Sequence, residues 1–113
     1  MPSIAALERL LSKGQDSALL RYGLASAHLK TEPDADLEQA AQHLQACLAL
    51  DPDYTAAYKL LSKVLRDQHQ PEAALKILER GILCAQAAKD MQAQREMEVF
   101  ARRLRKAQEF DLQ

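Results

Sequence analysis

The sequence predicts an all-α fold of antiparallel helix–turn–helix repeats, with one further helix at each end. Apolar residues make up 48 % of the 113 residues but aromatic residues only 4 %, so Leu and Ala must form the core, as in closely packed helices. Three Gly and four Pro are few for a protein of strands and hairpins. Residues 37–52 also recur at residues 71–86, 34 positions later, with small residues on small and aliphatic on aliphatic. Such a period indicates stacked helical repeats.

Apolar periodicity and helix-ending residues predict six helices along the chain. Their expected bounds are about 3–13, 18–30, 37–50, 55–67, 71–88 and 91–109.

The ends of the first helices carry specific signals. Gly14 suits the residue that follows a helix, and either Asp16 or Ser17 is expected to cap the second helix. Asp36 and Gln39 have the spacing of a capping box at the start of the third helix.

Later boundaries follow from proline and aspartate. Asp51-Pro52-Asp53 separates the third and fourth helices, and Pro71 suits the first position of the fifth. We expect one domain over residues 1–113, because this length is enough for one domain but not comfortably for two. Its parts would be an N-terminal helix (1–15), two repeat units (18–54 and 55–88) and a C-terminal capping helix (90–110).

The charge balance excludes several classes of protein. Fifteen basic and sixteen acidic residues give a net charge of −1, which argues against a general binder of nucleic acid or of anionic membranes. The sequence has no apolar run long enough for a membrane span and no signal-peptide pattern at its start. Two cysteines, Cys47 and Cys84, are too few for a disulfide framework. We therefore expect a cytoplasmic protein.

The repeat pattern resembles the tetratricopeptide repeat family. In the second unit the family's alternation of large and small residues is matched by Tyr58, Leu61, Ser62, Leu65, Ala74, Leu78 and Gly81. In the first unit it is matched by Leu24, Ala25, His28, Ala40, Leu44, Cys47 and Pro52. Arg21 stands where the family has an aromatic residue, and the loop of this unit is three residues longer than usual. The resemblance implies a right-handed α-solenoid, similar to small bacterial proteins of about two repeats.

Members of that family usually bind a peptide in the groove lined by the first helix of each unit. The resemblance therefore implies a protein–protein interaction module, such as an adaptor or a co-chaperone-like scaffold. Carried onto this sequence, the candidate groove residues are Tyr22, Ser26, Lys30, Lys59, Lys63 and Arg66.

The basic residues of the second unit suggest the kind of peptide. Lys59, Lys63 and Arg66 are spaced at i, i+4 and i+7, which places them on one face of a helix. Such a stripe suits an acidic peptide or a free carboxylate. Co-chaperone repeats that clamp a carboxylate also use Asn, which this sequence lacks. The other interpretation of the stripe is an ordinary solvated helix face.

The last helix provides an alternative function. Met97, Phe100 and Leu104 form an apolar stripe that either packs on the fifth helix or, if uncovered, makes the chain a structural, self-assembling subunit. We expect a monomer or a weak homodimer. The nearby cations 102, 103, 105 and 106 either complement the helix dipole or face an acidic partner.

No pattern in the sequence indicates catalysis. A phosphate-binding Gly-rich loop, a nucleophile elbow and a zinc-binding helix motif are all missing. His43 and Cys47 are four residues apart, but Cys47 occupies a repeat position that requires a small buried residue. We therefore expect no enzyme, no metal and no cofactor.

Overall fold

The computed structural model describes residues 3–31 and 36–111. Within these ranges it contains six α-helices and no strand. They are α1 (Ile4–Ser12), α2 (Ala18–Thr31), α3 (Leu37–Leu50), α4 (Thr55–Asp67), α5 (Pro71–Ala87) and α6 (Met91–Asp111). The all-α class is confirmed, and the observed helix ends lie within two residues of the predicted ones.

The chain divides into two compact units, Met1–Ala57 (unit 1) and Tyr58–Gln113 (unit 2). The boundary falls within the first turn of α4. In unit 1, α2 packs against both α1 and α3; in unit 2, α5 packs against α6. The expectation of one domain over residues 1–113 stays a prediction.

The predicted signals at the ends of α1 and α2 operate in the structure. Gly14 has φ +79°, and the Gln15 N–H donates to the Leu10 carbonyl at 3.1 Å, as in a glycine-terminated helix. Ser17, rather than Asp16, caps α2, because its Oγ accepts the Leu20 N–H at 3.1 Å. The sequence left these two residues as alternatives, and the side-chain contacts decide between them.

Aspartates cap two of the later helices. Asp36 Oδ1 accepts the Gln39 N–H at 3.0 Å at the start of α3. Asp90 Oδ1 accepts the Ala93 N–H at 3.1 Å at the start of α6. Each bond satisfies a backbone donor that has no partner inside its helix.

The core of unit 1 follows the repeat pattern. Its fully buried described residues combine small and large side chains: Leu24, Ala25, Ala40, Leu44, Cys47 and Ala57. Small residues allow the helices to approach, and the leucines fill the space between them.

The core of unit 2 has a close helix approach at Gly81 of α5. A Cβ atom on Gly81 would lie 2.6 Å from the Tyr58 Cβ of α4 and 2.6 Å from the Met97 Sδ of α6. Tyr58, Met97 and Leu104 are buried, so most of the predicted apolar stripe of α6 lies inside the protein. Position 81 requires glycine because the neighbouring side chains leave no space for a Cβ atom, and not because of its backbone conformation.

Candidate peptide-binding surfaces

The predicted basic stripe lies on α4, as its spacing requires. The side chains of Lys59 and Arg66 are 36 % and 47 % exposed, and Lys63 is also exposed. The stripe is therefore at the surface, where its charges can reach a ligand.

A second row of residues, on α6, faces the stripe within unit 2. Arg95, Val99 and Arg103 are spaced at i, i+4 and i+8, so they share one helix face. Both rows line a depression of about 400 Å³, which we call the basic depression. Its lining residues are Lys59, Lys63, Arg66, Arg95, Glu96, Val99, Phe100 and Arg103.

Positive charge is in large excess in the basic depression. Of the described residues that line it, five are cationic and one, Glu96, is acidic. Lys59 forms an ion pair with Glu96 across the depression. Among the described residues, Lys63, Arg95 and Arg103 make no ion pair. These three cations are therefore available to an anionic ligand.

Glu96 is held in place from both helices. Besides its ion pair with Lys59 of α4, its Oε1 accepts a hydrogen bond from Gln92 Nε2 of α6 at 3.2 Å. The hydrogen bond from Lys59, followed by that from Gln92, lowers the pKa of the Glu96 carboxyl below its ordinary value. Glu96 is therefore ionised at neutral pH.

Arg66 combines a charge with an apolar contact. Its guanidinium carbon lies 5.2 Å from the centre of the Phe100 ring, within the range of a cation–π contact. Its Nε also donates to Asp67 Oδ1 at 3.1 Å. The half-buried Phe100 and the exposed Val99 form an apolar strip among the cations.

The other three predicted groove residues lie in unit 1. Tyr22, Ser26 and Lys30 line a depression of about 590 Å³ between α1 and α2, which we call the apolar depression. Leu7, Leu10, Leu19 and Leu20 are also in its lining. Leu19 is 70 % exposed and Leu10 is 40 % exposed, so this surface offers apolar side chains to solvent.

Arg21, which replaces the family's aromatic residue, makes polar contacts within unit 1. Its Nε and Nη2 donate to Asp16 Oδ1 and Oδ2 at 2.9 and 3.0 Å. Its Nη1 lies 3.2 Å from His43 Nδ1. The His43 ring stacks on the buried His28 ring, with 5.8 Å between the two ring centres. Because arginine can only donate, His43 Nδ1 must be the acceptor, which requires a neutral imidazole.

Metal binding has no support in this cluster. The part of the chain that the structure describes holds no group of three His, Cys, Asp or Glu residues placed to bind a metal ion. Cys47 is buried, and burial, followed by the charge of Asp51, raises the pKa of its thiol. Cys47 is therefore a core residue whose thiol is protonated at neutral pH.

Sequence reasoning missed the contribution of α6 to the basic depression. Arg95 and Arg103 belong to it, and Phe100, predicted for a second interface with Met97 and Leu104, contacts Arg66 there. Elsewhere on α6, Arg105 Nη2 lies 3.8 Å from Glu79 Oε1 of α5. The i, i+4, i+8 spacing of Arg95, Val99 and Arg103 indicates a shared helix face, but it does not indicate that this face meets α4.

Comparison with known proteins identifies the family. The tetratricopeptide repeat model matches residues 34–95, more than half of the chain. A TPR repeat-containing protein from Pseudomonas aeruginosa is 42 % identical over 104 residues, which are 92 % of this chain and 96 % of that protein. The chain belongs to the tetratricopeptide repeat family.

Solved structures agree with this assignment. A protein from Bordetella parapertussis, known from a solution structure, has a TM-score of 0.79 and 34 % identity, covering 95 % of this chain and 90 % of that one. A tetratricopeptide repeat domain protein from Salinibacter ruber has a TM-score of 0.72 over 79 % of this chain and 87 % of its own. Its 22 % identity supports the fold alone.

Family membership gives the general function. Tetratricopeptide repeats are generally protein–protein interaction modules and are typically non-catalytic scaffolds. None of the described helices is both long and apolar enough to cross a bilayer. The cytoplasmic setting stays a prediction.

Proposed function

We propose that this protein is an interaction module that binds an acidic segment of a partner protein in the basic depression of unit 2. The main support for the proposal is that two cationic rows, one on α4 and one on α6, face each other. Among the described residues that line the depression, they surround a single carboxylate. Carboxylates of a partner would form charge-assisted hydrogen bonds with these cations. Lys59, Lys63 and Arg66 are the contacts from α4, and Arg95 and Arg103 those from α6.

The apolar depression of unit 1 supports a second contact region. Tyr22, Ser26 and Lys30 would contact a part of the partner that carries apolar side chains, since four leucines also line this depression. Lys30 adds a positive charge at the same surface. Binding there would depend on the area of apolar surface buried rather than on ion pairing.

The test is binding of a fluorescein-labelled acidic peptide, Ser-Gly-Glu-Leu-Glu-Glu with a free carboxyl end, measured by fluorescence anisotropy. In the protein, Lys63→Glu and Arg103→Glu together reverse one free cation in each row. We expect the affinity to fall by roughly tenfold or more at low salt, because like charges then face the peptide.

The matched control changes Lys13 and Lys76 to Glu, which alters the net charge by the same amount at exposed positions outside both depressions. This control should bind the peptide nearly as the native protein does. Equal loss of affinity in both variants would point to a non-specific charge effect. Failure of the native protein to bind the peptide would overturn the proposal.

A further inference from the structure

Glu96 is the feature of the basic depression that the general function does not explain. It lies on α6 between Arg95 and the apolar strip of Val99 and Phe100, and its carboxylate pairs with Lys59 of α4. Gln92 donates a second hydrogen bond to it from the preceding turn. A carboxylate with two donors thus already occupies part of a site that is otherwise cationic.

We propose that Glu96 is an internal competitor for the ligand: an acidic peptide binds the depression by displacing Glu96 from Lys59 and placing its own carboxylate there. This inference rests on the proposed function. Lys59 and Glu96 are 36 % and 40 % exposed, so the pair can open towards solvent without disturbing the core. The displaced Glu96 keeps the hydrogen bond from Gln92 on its own helix.

The dimensions of the depression fit a short extended peptide. From Lys59 to Arg66 the rise along α4 is about 10 Å, and from Arg95 to Arg103 along α6 it is about 12 Å, at roughly 1.5 Å per residue. An extended peptide advances about 3.3 Å per residue, so about four residues span this length. Two carboxylates can then reach cations at both ends of the depression.

The apolar strip indicates which kind of peptide side chain fits between those carboxylates. Val99 and Phe100 lie among the cations and are both partly exposed. An aliphatic or aromatic side chain of the peptide would bury this strip, which ions alone would leave in water. The ligand class is therefore an acidic segment with an apolar residue next to its carboxylates.

Competition by Glu96 makes the site selective. A ligand with a single carboxylate gains little, because it replaces an ion pair that already exists. A ligand with two or more carboxylates also engages Lys63, Arg95 or Arg103, which make no ion pair among the described residues. The protein would thus discriminate against isolated carboxylates.

The experiment compares Glu96→Gln with Glu98→Gln in the same anisotropy assay with the peptide Ser-Gly-Glu-Leu-Glu-Glu. Both variants remove one negative charge from α6, but exposed Glu98 lines a different depression, with Arg102 and Arg105. We expect Glu96→Gln to bind roughly two- to fivefold more tightly, as suits a partly exposed ion pair, and Glu98→Gln to bind as the native protein does.

A double-mutant cycle separates competition for Lys59 from a general charge effect. In the Lys59→Gln background, Glu96→Gln should no longer improve binding, because the cation for which Glu96 competes is gone. An undiminished gain in that background, or no gain from Glu96→Gln alone, overturns the inference while leaving the proposed function intact. If the native protein and Glu96→Gln both fail to bind, the proposed function fails.

Discussion

Arg21 shows how one substitution changes the chemistry of a repeat. Where the family has an aromatic residue, a guanidinium pairs with Asp16 and contacts His43 Nδ1 at 3.2 Å. His43 is thereby confined between a permanent cation and the ring of the buried His28. Burial disfavours the charged form of His43, and the positive charge of Arg21 beside it has the same effect.

The first prediction concerns the titration of His43. Burial, followed by the charges of Arg21 and His28, lowers its pKa below the ordinary value, and Glu8 and Asp16 oppose this effect. We expect NMR titration of the His43 ring to give a pKa below the ordinary histidine value of about 6.5. In Arg21→Gln the pKa should rise only in part, because burial remains. An unchanged pKa in that variant would contradict the assigned contribution of Arg21.

The same shift sets the direction of the pH dependence of stability. A basic group whose pKa is lower in the folded state than in the unfolded state binds more protons when the protein is unfolded. The contribution of His43 to stability is therefore complete above about pH 6.5 and is lost as the pH falls towards its pKa in the folded state. The free energy of unfolding should therefore decrease on acidification below pH 6.5. His43→Gln, which cannot titrate, should have a flatter profile in this range. Asp16 and Glu96 titrate lower, since their pKa values are also lowered.

The bounds of the helices were predictable from the sequence, but the backbone conformation that follows two of them was not. Asp36, Pro71 and Asp90 act locally, and their effects can be read from adjacent residues. By contrast, His69 and Lys89 adopt φ values of +61° and +59°, a conformation that favours glycine. Short connections to the next helix impose this conformation, so no local signal at these residues indicates it.

The second prediction compares two helical glycines. In Gly81→Ala the new Cβ would lie 2.6 Å from Tyr58 Cβ, and we expect a loss of about 1–3 kcal/mol in the free energy of unfolding, as for other overpacked cores. In Gly23→Ala the Cβ meets no atom within 4 Å, so the helix propensity of alanine should add up to about 1 kcal/mol. Urea unfolding measures both changes. Stabilisation by both substitutions would show that the helices around Gly81 can separate at little cost.

The sequence predicted the family and one of the two helix rows that line the basic depression. Lys59, Lys63 and Arg66 could be found because a family pattern gives the groove positions of each first repeat helix. Arg95 was not singled out, and Arg103 was named only within the cation cluster of the last helix, because α6 lies beyond the second repeat and was interpreted as a capping helix. Which of its faces meets α4 depends on packing around Gly81, a contact between residues distant in sequence.

The last prediction concerns self-association through α6. Met97 and Leu104 are 0 % and 6 % exposed, so the stripe that would have formed this interface is mostly unavailable. Phe100 remains partly exposed beneath Arg66, and Phe110, at 79 % exposure, lies ten residues further along the helix. Such separated side chains form no continuous apolar patch of the kind that drives association. We therefore expect sedimentation velocity to give a monomer whose sedimentation coefficient does not change with concentration in the micromolar range. A coefficient that rises with concentration in the native protein, and no longer rises in Phe100→Glu, would instead establish α6 as a self-association surface. In that case Phe110→Ser is the matched control, because it removes an exposed aromatic side chain from the same helix outside the basic depression.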